Sequence, residues 1–434
     1  MKATCLCVAL FVCTAMQAQT KTEPSRMDRS RLNIGAYCLA SYAWTDQHVK
    51  DIKDCGIDFM TVIPNDKKIL DLLHKHGVGA DVSGVVPGWW GGDGKNGGQF
   101  SKTHPIETYE KAAASFADHP AIWCIDLGDE PSALDFPHYG KVFKCVEERF
   151  PSHITPYLNL YPNYASVSQN TSEQVVSQLG TRTYQEHIAE YVKHVPSDYI
   201  CYDHYLYSLN VPLAYNNLRI VSDACTGSER SMWIVLQVNS NKKDKFISEN
   251  ELRFQAYTAM AFGAENIIWA CWTAGWWYNN VLDSVGNKTE QYDKLQRVNK
   301  EIHLLGQPYM KYRRTGTHFI SFQGTKWLEG VGQVSEPQLN DGLIQNLTSA
   351  DHSPLVVGTM NSRAGDGKRA LFVCSADDPY DEHPAEHKIT FRADGMRISA
   401  TGPQGPRKVE VASDGTYSIP IRSNEGILIK AVKY

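Results

Sequence analysis

Short apolar runs alternate with stretches of helical periodicity from Asn33 to about Gly306. Each run has the length of a buried strand, and each following stretch repeats its apolar residues every three or four positions, as an amphipathic helix does. The pattern predicts eight strands, over Asn33–Cys38, Ile57–Ile63, Val78–Val82, Ala121–Leu127, Ile154–Leu160, Tyr199–Asp203, Met232–Gln237 and Asn266–Trp272. It predicts a helix after each strand, over Asp46–Asp54, Lys67–His76, Ile106–Ala117, Tyr139–Arg149, Arg182–His194, Leu213–Ala224, Glu249–Phe262 and Glu290–Leu305.

Eight strand–helix units close into a barrel more naturally than into an open sheet. Gly56, Gly77 and Gly263 each stand just before a strand, where the cap at a helix C-terminus is expected. An open doubly wound sheet is the alternative, but no Gly-x-Gly-x-x-Gly turn follows the first strand. We therefore predict an α/β fold with a (β/α)8 TIM barrel over residues 33–310.

Helical periodicity stops after about Lys311. Short β-rich runs follow, separated by Gly, Pro and Asp, which is typical of a small antiparallel sandwich. The runs cover Thr317–Phe322, Leu355–Met360, Ala370–Ser375, Lys388–Arg392, Lys408–Ala412 and Gly426–Val432. We predict an all-β C-terminal sandwich domain over residues 311–434. A structural brace is the favoured role, and a carbohydrate-binding module is the alternative.

Composition narrows the function classes. The chain has 434 residues, 42% of them hydrophobic, and a formal net charge of −5 from 48 Asp and Glu against 43 Lys and Arg. No basic face of the kind that nucleic acid demands is visible, so we expect no nucleic-acid partner. Aromatic residues make up 11% of the chain. Their flat faces suit sugar rings, although an aromatic core would need them as well.

The N-terminus is typical of a signal peptide over residues 1–18. Lys2 gives a positive start, Ala3–Ala15 is apolar, and Ala18 offers a small residue for cleavage. A linker over residues 19–32 would follow. The apolar run is too short to span a bilayer, and no other stretch is a candidate transmembrane segment. We expect export to the periplasm or beyond. A lipid anchor on Cys13 is a weaker alternative, because Val12 is bulkier than a lipoprotein signal prefers.

Of the 11 cysteines, three fall in this leader. The other eight include Cys38, Cys124, Cys201 and Cys271 in predicted strands, without a Cys-x-x-Cys pair or a Cys/His metal spacing. We interpret them as buried free thiols rather than a disulfide framework. No metal site and no cofactor is predicted.

Candidate chemistry stands where catalytic groups of a barrel stand, at the C-terminal ends of the strands. Cleaving an acetal needs an acid that protonates the leaving oxygen and a group that stabilises an oxocarbenium-like transition state. We assign catalysis to Glu130, Asp129 and Asp203. Substrate contacts are predicted for polar and aromatic residues on the same rim, namely Tyr37, Trp89, Trp90, Asn159, His204, Tyr205, Gln237, Trp272, Trp276 and Trp277.

Two segments carry a family resemblance over roughly residues 33–306. The run Ile125-Asp126-Leu127-Gly128-Asp129-Glu130-Pro131 resembles the fourth-strand Asn-Glu-Pro signature of the large clan of retaining barrel glycosidases. The run from Glu251 to Trp269 resembles the last helix and strand of family 42 β-galactosidases. The resemblance implies a glycoside hydrolase that acts on a poly- or oligosaccharide, with Glu130 as the acid/base.

Two positions depart from that pattern. Asp129 stands where the clan has Asn, and Gln237 stands where the clan has its nucleophilic Glu at the end of strand seven. An amide cannot form the covalent glycosyl ester, so the clan's mechanism does not carry over whole. The pair Asp129-Glu130 resembles that of N-acetylhexosaminidases of families 20 and 123, in which the substrate's acetamido group is the nucleophile. Alternatively, Asp203 is the second carboxylate, or the barrel binds sugars without cleaving them.

Several of these residues have a structural interpretation beside the functional one. Trp89 and Trp90 in a Gly-rich loop indicate either a mobile lid with stacking platforms or a loop tip with buried anchors. Gln237 contacts a sugar hydroxyl or satisfies buried backbone groups. An aldolase or isomerase barrel would need a Schiff-base Lys or a metal cluster at a strand end, and neither is visible in the sequence.

Overall fold

The computed structural model describes residues 26–167, 177–208, 211–273, 275–322, 335–381 and 383–433. The predicted signal peptide, the first residues of the linker and the lipidation candidate Cys13 lie outside these ranges. Within them, no helix is both long and apolar enough to cross a membrane.

Parallel strands form a curled sheet in the first part of the chain. They are β1 (Asn33–Tyr37), β2 (Phe59–Pro64), β3 (Gly79–Ser83), β4 (Trp89–Trp90), β5 (Ile122–Asp129), β6 (Thr155–Asn159), β7 (Tyr199–His204), β8 (Ser231–Gln237) and β9 (Ala264–Ala270). The eight longer strands follow the order β6-β5-β3-β2-β1-β9-β8-β7, and β4 pairs with the end of β5. The predicted α/β class is thereby confirmed as a curled parallel sheet of eight main strands.

Helices connect these strands. They are α1 (Asp46–Asp54), α2 (Lys67–Lys75), α3 (Phe100–Thr103), α4 (Ile106–Ala114), α5 (Phe136–Arg149), α6 (Tyr184–His194), α7 (Val211–Ser228), α8 (Glu249–Ala261) and α9 (Glu290–Tyr309). Their starts follow local chemistry. The Ser248 and Glu251 side chains form a reciprocal capping box at α8, and Thr45 and Thr183 accept from backbone N–H groups at α1 and α6.

Large aromatic side chains fill the concave interior of the curled sheet. Glycines make room for them, because a Cβ at Gly35 would lie 2.6 Å from the Phe59 ring and one at Gly79 would lie 2.1 Å from Trp123. Tyr199 stacks on Trp233 with ring centroids 4.1 Å apart. The interior is therefore a packed core, and any substrate site must lie at an end of the strands.

The N-terminal end of the strands is covered by the last part of the predicted linker. Met27 is buried, and the Arg29 guanidinium lies over the Trp233 ring while forming an ion pair with Asp198. Arg29 also donates to the Thr155 hydroxyl over 3.1 Å. This cover leaves the opposite, C-terminal end of the sheet for chemistry.

Two further sheets form the C-terminal part. Their strands are β10 (Tyr312–Ile320), β11 (Ser335–Glu336), β12 (Gln345–Ser349), β13 (Leu355–Ser362), β14 (Arg369–Ser375), β15 (Glu386–Arg392), β16 (Met396–Gly402), β17 (Gly405–Arg407), β18 (Glu410–Val411), β19 (Tyr417–Arg422) and β20 (Gly426–Lys433). The sheet orders are β11-β10-β13-β14-β20-β16-β17 and β12-β15-β19-β18. Pairing is antiparallel except between β10 and β11.

An apolar core lies between these two sheets, formed by residues such as Val357, Ile389 and Ile419. The larger sheet also packs against α8 and α9. Phe372 of β14 meets Tyr309 of α9 with ring centroids 5.4 Å apart, and a Cβ at Gly358 would lie 2.3 Å from the Ala261 carbonyl oxygen of α8. The C-terminal sheets therefore share a tightly packed interface with the helical layer.

All eight cysteines of the described chain are free, and seven of them are buried. This confirms the interpretation of buried thiols rather than a disulfide framework.

Candidate active site

The end of β5 turns sharply at the C-terminal side of the sheet. Gly128 and Glu130 both have positive φ angles, of 135° and 44°. A side chain at position 128 would lie 2.0 Å from the Trp89 carbonyl oxygen, so only glycine fits there. The turn is fixed by two bonds, from Gly128 N–H to Asp126 Oδ1 and from Glu130 N–H to the Asn159 carbonyl oxygen. The local backbone thus brings Asp129 and Glu130 to the strand ends together.

Asn159, the last residue of β6, connects two of the predicted catalytic carboxylates. Its side-chain nitrogen donates to Asp129 Oδ1 over 3.0 Å and to Asp203 Oδ1 over 2.9 Å. Asp203 Oδ2 accepts a further bond from the Tyr164 hydroxyl at 3.4 Å. Asn159 and Asp203 are both buried, with 4% and 2% of their surface exposed.

Glu130 completes this cluster because its carboxyl group hydrogen-bonds to that of Asp203. Burial raises the pKa of Glu130 well above its ordinary value, and the negative charges of Asp203, Asp129 and Asp93 raise it further. Burial and Asp129 also raise the pKa of Asp203, while its bonds from Asn159 and Tyr164 oppose that shift. Two carboxyl groups in direct contact cannot both ionise, so the pair shares a proton. That proton lies on Glu130.

Asp129 differs from Asp203 in its exposure. Asp129 as a residue is exposed to solvent, whereas Asp203 is buried. Desolvation by surrounding protein is nevertheless the largest cause of the raised pKa of Asp129. A side chain that is both exposed and crowded by protein lies in a concave surface. Asp129 is therefore the carboxylate of this cluster that a substrate would meet.

Behind this cluster lie two further carboxyl groups. Asp81 on β3 is fully buried, and burial together with the charge of Asp126 raises its pKa well above the ordinary range. Burial also raises the pKa of Asp126, to about 6. Asp126 anchors the Gly128 N–H and so helps to set the turn, which gives it a structural role.

Four of the predicted substrate-binding aromatic residues form one surface beside the carboxylates. We call Tyr37, Tyr205, Trp276 and Trp277 the aromatic wall. The Trp276 ring meets Tyr37 edge-on at 6.2 Å and Tyr205 at 5.9 Å, and Tyr205 meets Trp277 at 4.9 Å. Burial raises the pKa of Tyr205, and the charges of Asp203 and Asp129 raise it further, so the aromatic wall lies near the carboxyl cluster.

Trp89 and Trp90 separate in the structure. Trp89 is buried, stacks on Phe100 at 5.2 Å and donates its Nε1–H to Asp135 over 3.2 Å. Trp89 is therefore a buried anchor of the Gly-rich loop, as the structural interpretation of a loop tip expects. Trp90 is 52% exposed and pairs in register with Asp129, which keeps it available at the entrance to the site.

Three other residues predicted to contact substrate have side chains that are turned into the protein. Trp272 has no exposed surface and packs edge-on against Tyr292 of α9. Gln237 is equally buried, and its amide accepts from the Tyr207 N–H and donates to the Asn239 carbonyl oxygen. His204 is buried against the Tyr164 ring with no partner on either ring nitrogen. Burial lowers the pKa of His204 to about 3, so it is neutral.

The structure adds residues that the sequence analysis did not assign. Tyr164 donates to Asp203, and Asp93 in the Gly-rich loop acts electrostatically on Glu130. The Tyr161 hydroxyl is buried without a hydrogen-bond partner, and burial raises its pKa, as do the charges of Glu130 and Asp93. Tyr161 directly follows the predicted strand Ile154–Leu160. Tyr164 and Asp93 stand in connecting segments that no periodicity marks.

Among the residues that the structure describes, no group of three or more His, Cys, Asp or Glu side chains is placed to hold a metal ion. The carboxyl groups of the cluster are instead satisfied by Asn159, Tyr164 and each other. The arrangement can deliver a proton from Glu130 to a bound group near Asp129.

Comparison with known proteins finds solved structures of similar fold. No protein-family model matches the chain, and no curated protein sequence matches it. A cycloisomaltooligosaccharide glucanotransferase from Paenibacillus sp. superposes with a TM-score of 0.51 at 8% identity, over 93% of this chain and 85% of that one. At such identity the similarity shows the fold alone.

Two other solved structures are similar over a smaller share of this chain. A putative α-L-fucosidase from Bacteroides thetaiotaomicron has a TM-score of 0.42 at 12% identity, over 70% of this chain and 98% of that one. A β-glucuronidase from Bifidobacterium dentium has a TM-score of 0.42 at 11% identity, over 62% of this chain. The match spans 46% of the length of the β-glucuronidase.

Proposed function

We propose that this protein is a glycoside hydrolase that cleaves O-glycosidic bonds of a poly- or oligosaccharide, with Glu130 as the general acid. The observation that carries the proposal is the hydrogen bond between Glu130 and Asp203, together with the raised pKa of Glu130. A glycosidase needs a carboxylic acid that keeps its proton at neutral pH until the leaving oxygen takes it. Burial and three neighbouring negative charges supply that condition here.

Asp203 then acts on Glu130 rather than on the sugar. Only 2% of its surface is exposed, so direct attack on an anomeric carbon would require Glu130 to move away. Its contact with Glu130 also leaves no room for the water that an inverting pair of carboxylates needs between them. Asp203 is therefore a positioning residue that keeps the proton on Glu130.

Asp129 is the second group of the proposed reaction. It is open to solvent beside Glu130, and Asn159 fixes its orientation. This exposure favours a substrate-assisted reaction among the alternatives. Asp129 would accept the N–H of a 2-acetamido group, whose oxygen attacks the anomeric carbon while Glu130 protonates the leaving oxygen. Hydrolysis of matched 2-acetamido and 2-hydroxy glycosides tests this, because only the former can supply the internal nucleophile.

Replacing Glu130 by Gln tests the proposed activity itself. The substitution keeps the shape and a hydrogen-bond donor toward Asp203 but removes the transferable proton. We expect Glu130→Gln to lose hydrolysis and to keep sugar binding measured by calorimetry, while the exposed control Glu290→Gln keeps both. A wild-type protein that binds sugars and hydrolyses none would instead identify a non-catalytic carbohydrate-binding barrel.

We also infer that the curled sheet closes into a (β/α)8 barrel. The support is a parallel bridge between Leu160 and Tyr202, with a bond from Leu160 N–H to the Cys201 carbonyl oxygen, which joins the chain after β6 to β7. Slow amide exchange at Leu160, comparable to that at β1 and β2, would be expected of a closed barrel. Exchange at the rate of an open sheet edge would count against closure.

Export is a further proposal, which rests on Lys2, the apolar run Ala3–Ala15 and Ala18. Mass spectrometry of the protein from its native cells is expected to find a mature chain that starts at Gln19. A chain that retains residues 1–18 would contradict export through this leader.

A further inference from the structure

Two cysteine side chains lie side by side below the aromatic wall. Cys38 directly follows β1 and Cys271 directly follows β9, and these strands pair in parallel with Ala36 opposite Trp269. Cys38 and Cys271 lie just beyond the last paired residues of these two strands. The two segments stay together there, because Trp272 N–H donates to the Tyr37 carbonyl oxygen and Thr273 N–H donates to that of Cys38.

The sulfur atoms themselves are close. A Cβ built at Gly275 would lie 2.9 Å from Cys271 Sγ and 3.1 Å from Cys38 Sγ, so the sulfurs are no farther apart than these two distances combined. The two thiols also hydrogen-bond to each other, so the sulfurs are in direct contact.

The two thiols differ in the way that a reacting pair does. Cys38 is half-buried, whereas Cys271 is buried. A hydrogen bond from the Cys271 thiol lowers the pKa of Cys38, and burial raises that of Cys271. A thiolate is the nucleophile in thiol–disulfide exchange. Cys38 is thus the sulfur that an external reagent reaches first, and Cys271 is the sulfur in position to resolve the product.

We propose that Cys38 and Cys271 form a reversible disulfide when the protein meets a low-molecular-weight disulfide, and that this bond displaces the aromatic wall. Cys38 attacks one sulfur of the reagent, which releases one thiol and leaves a mixed disulfide on Cys38. Cys271 then attacks the Cys38 sulfur and releases the second thiol. The protein loses two hydrogen atoms, and the small disulfide is reduced to two thiols.

The coupling to the wall runs through Gly275 and Trp276. Both sulfurs lie within 3.1 Å of the position that a Cβ at Gly275 would take, and the Trp276 backbone N–H donates to the Cys271 sulfur. Trp276 contacts Tyr37, the residue before Cys38. Drawing the sulfurs to bonding distance therefore shifts the backbone that carries Trp276.

Oxidised glutathione added to the reduced full-length protein tests bond formation, with thiols trapped by iodoacetamide before peptide mapping. We expect the wild type and the control Cys145→Ser to gain a cross-link between the peptides of Cys38 and Cys271. Cys271→Ser should retain glutathione on Cys38, and Cys38→Ser should gain neither. A wild type that stays reduced, retains glutathione on Cys38 or cross-links other cysteines would overturn the proposal.

Glycoside turnover is the second measurement, and it rests on the proposed function. Peptide mapping of the cross-link does not depend on that function. Turnover of a glycoside by the cross-linked protein should fall roughly tenfold to a hundredfold, the loss expected for a contact displaced by about an ångström. Dithiothreitol should restore it. Full turnover by a protein whose cross-link is proved by mapping would contradict the displacement of the wall. Absence of turnover in the reduced protein would instead count against the glycosidase proposal.

Discussion

The side-chain amide of Asn159 donates to Asp203 Oδ1 over 2.9 Å, and the same nitrogen donates to Asp129 Oδ1 over 3.0 Å. One amide thus fixes both carboxylates that flank Glu130. Because Asn159 lies at the end of β6 and Asp203 in β7, this contact also joins two strands at the candidate site.

Removing the amide should release both carboxylates. A hydrogen bond to a charged group contributes about 1.5–3 kcal/mol, so we expect Asn159→Ala to lower kcat/KM by roughly tenfold to a hundredfold. Steady-state kinetics measure this, with Asn346→Ala as an exposed control in the C-terminal sheet. Equal kinetics in the two variants would contradict the role assigned to Asn159.

The pH profile should depend on Asp203. The acid must carry its proton, so activity is lost as pH rises through the pKa of Glu130, which lies well above its ordinary value. Asp203→Asn removes a negative charge that raises this pKa. The alkaline loss of kcat/KM should therefore begin at lower pH in Asp203→Asn. Asp93→Asn should shift it less, because Asp93 is a weaker cause of the raised pKa. An unshifted alkaline limb in Asp203→Asn would show that Glu130 does not control it.

Charge at the site should select against anionic sugars. The charged neighbours that act most on Glu130 are Asp203, Asp129 and Asp93, all of them acidic. Like charges separated by about 4 Å repel by roughly 1–4 kcal/mol at the dielectric of a protein surface. We expect a uronide to bind at least about tenfold more weakly than the neutral glycoside with the same aglycone. Calorimetry on Glu130→Gln measures both, and tighter binding of the uronide would contradict this charge argument.

The C-terminal sheets should stabilise the first part of the chain through α8. A methyl group at Gly358 would lie 2.3 Å from the Ala261 carbonyl oxygen, so Gly358→Ala must open the interface. Overpacking of this kind costs about 1–3 kcal/mol. Gly227→Ala is the matched control, since nothing lies within 4 Å of its new methyl group and it is in helix α7. Equal unfolding temperatures of the two variants would argue against a bracing interface.

The sequence pattern predicts the strands of the curled sheet because the spacing of apolar residues within each segment is enough to identify it. Each of the eight predicted strands has an observed counterpart, and β8 ends at Gln237 as predicted. The prediction misses the C-terminal strands β11, β12, β16, β17 and β19. Met396–Gly402 and Tyr417–Arg422 nevertheless alternate apolar inward positions with polar outward positions, so the period-two signal that identifies a strand is present in both.

For the candidate site, the sequence predicts which residues stand at the strand ends but not how their side chains are oriented. Glu130, Asp129 and Asp203 could be named because strand ends of parallel sheets converge, which requires only the strand assignments. Orientation could not be predicted. The Gln237 side chain turns inward to accept a hydrogen bond from the Tyr207 N–H. The Trp89 side chain donates to Asp135, which lies 46 residues further along the chain. Such contacts exist only once the chain has folded.

The most direct test of Glu130 as the proton donor varies the leaving group of the substrate. Glu130→Gln is compared with the wild type on two glycosides of one sugar, with an alkyl aglycone and with a 2,4-dinitrophenyl aglycone. An alkoxide needs a proton to depart, whereas dinitrophenolate does not. The account predicts that Glu130→Gln loses about a hundredfold or more on the alkyl glycoside and far less on the dinitrophenyl glycoside. An equal loss on both substrates would contradict a general-acid role for Glu130.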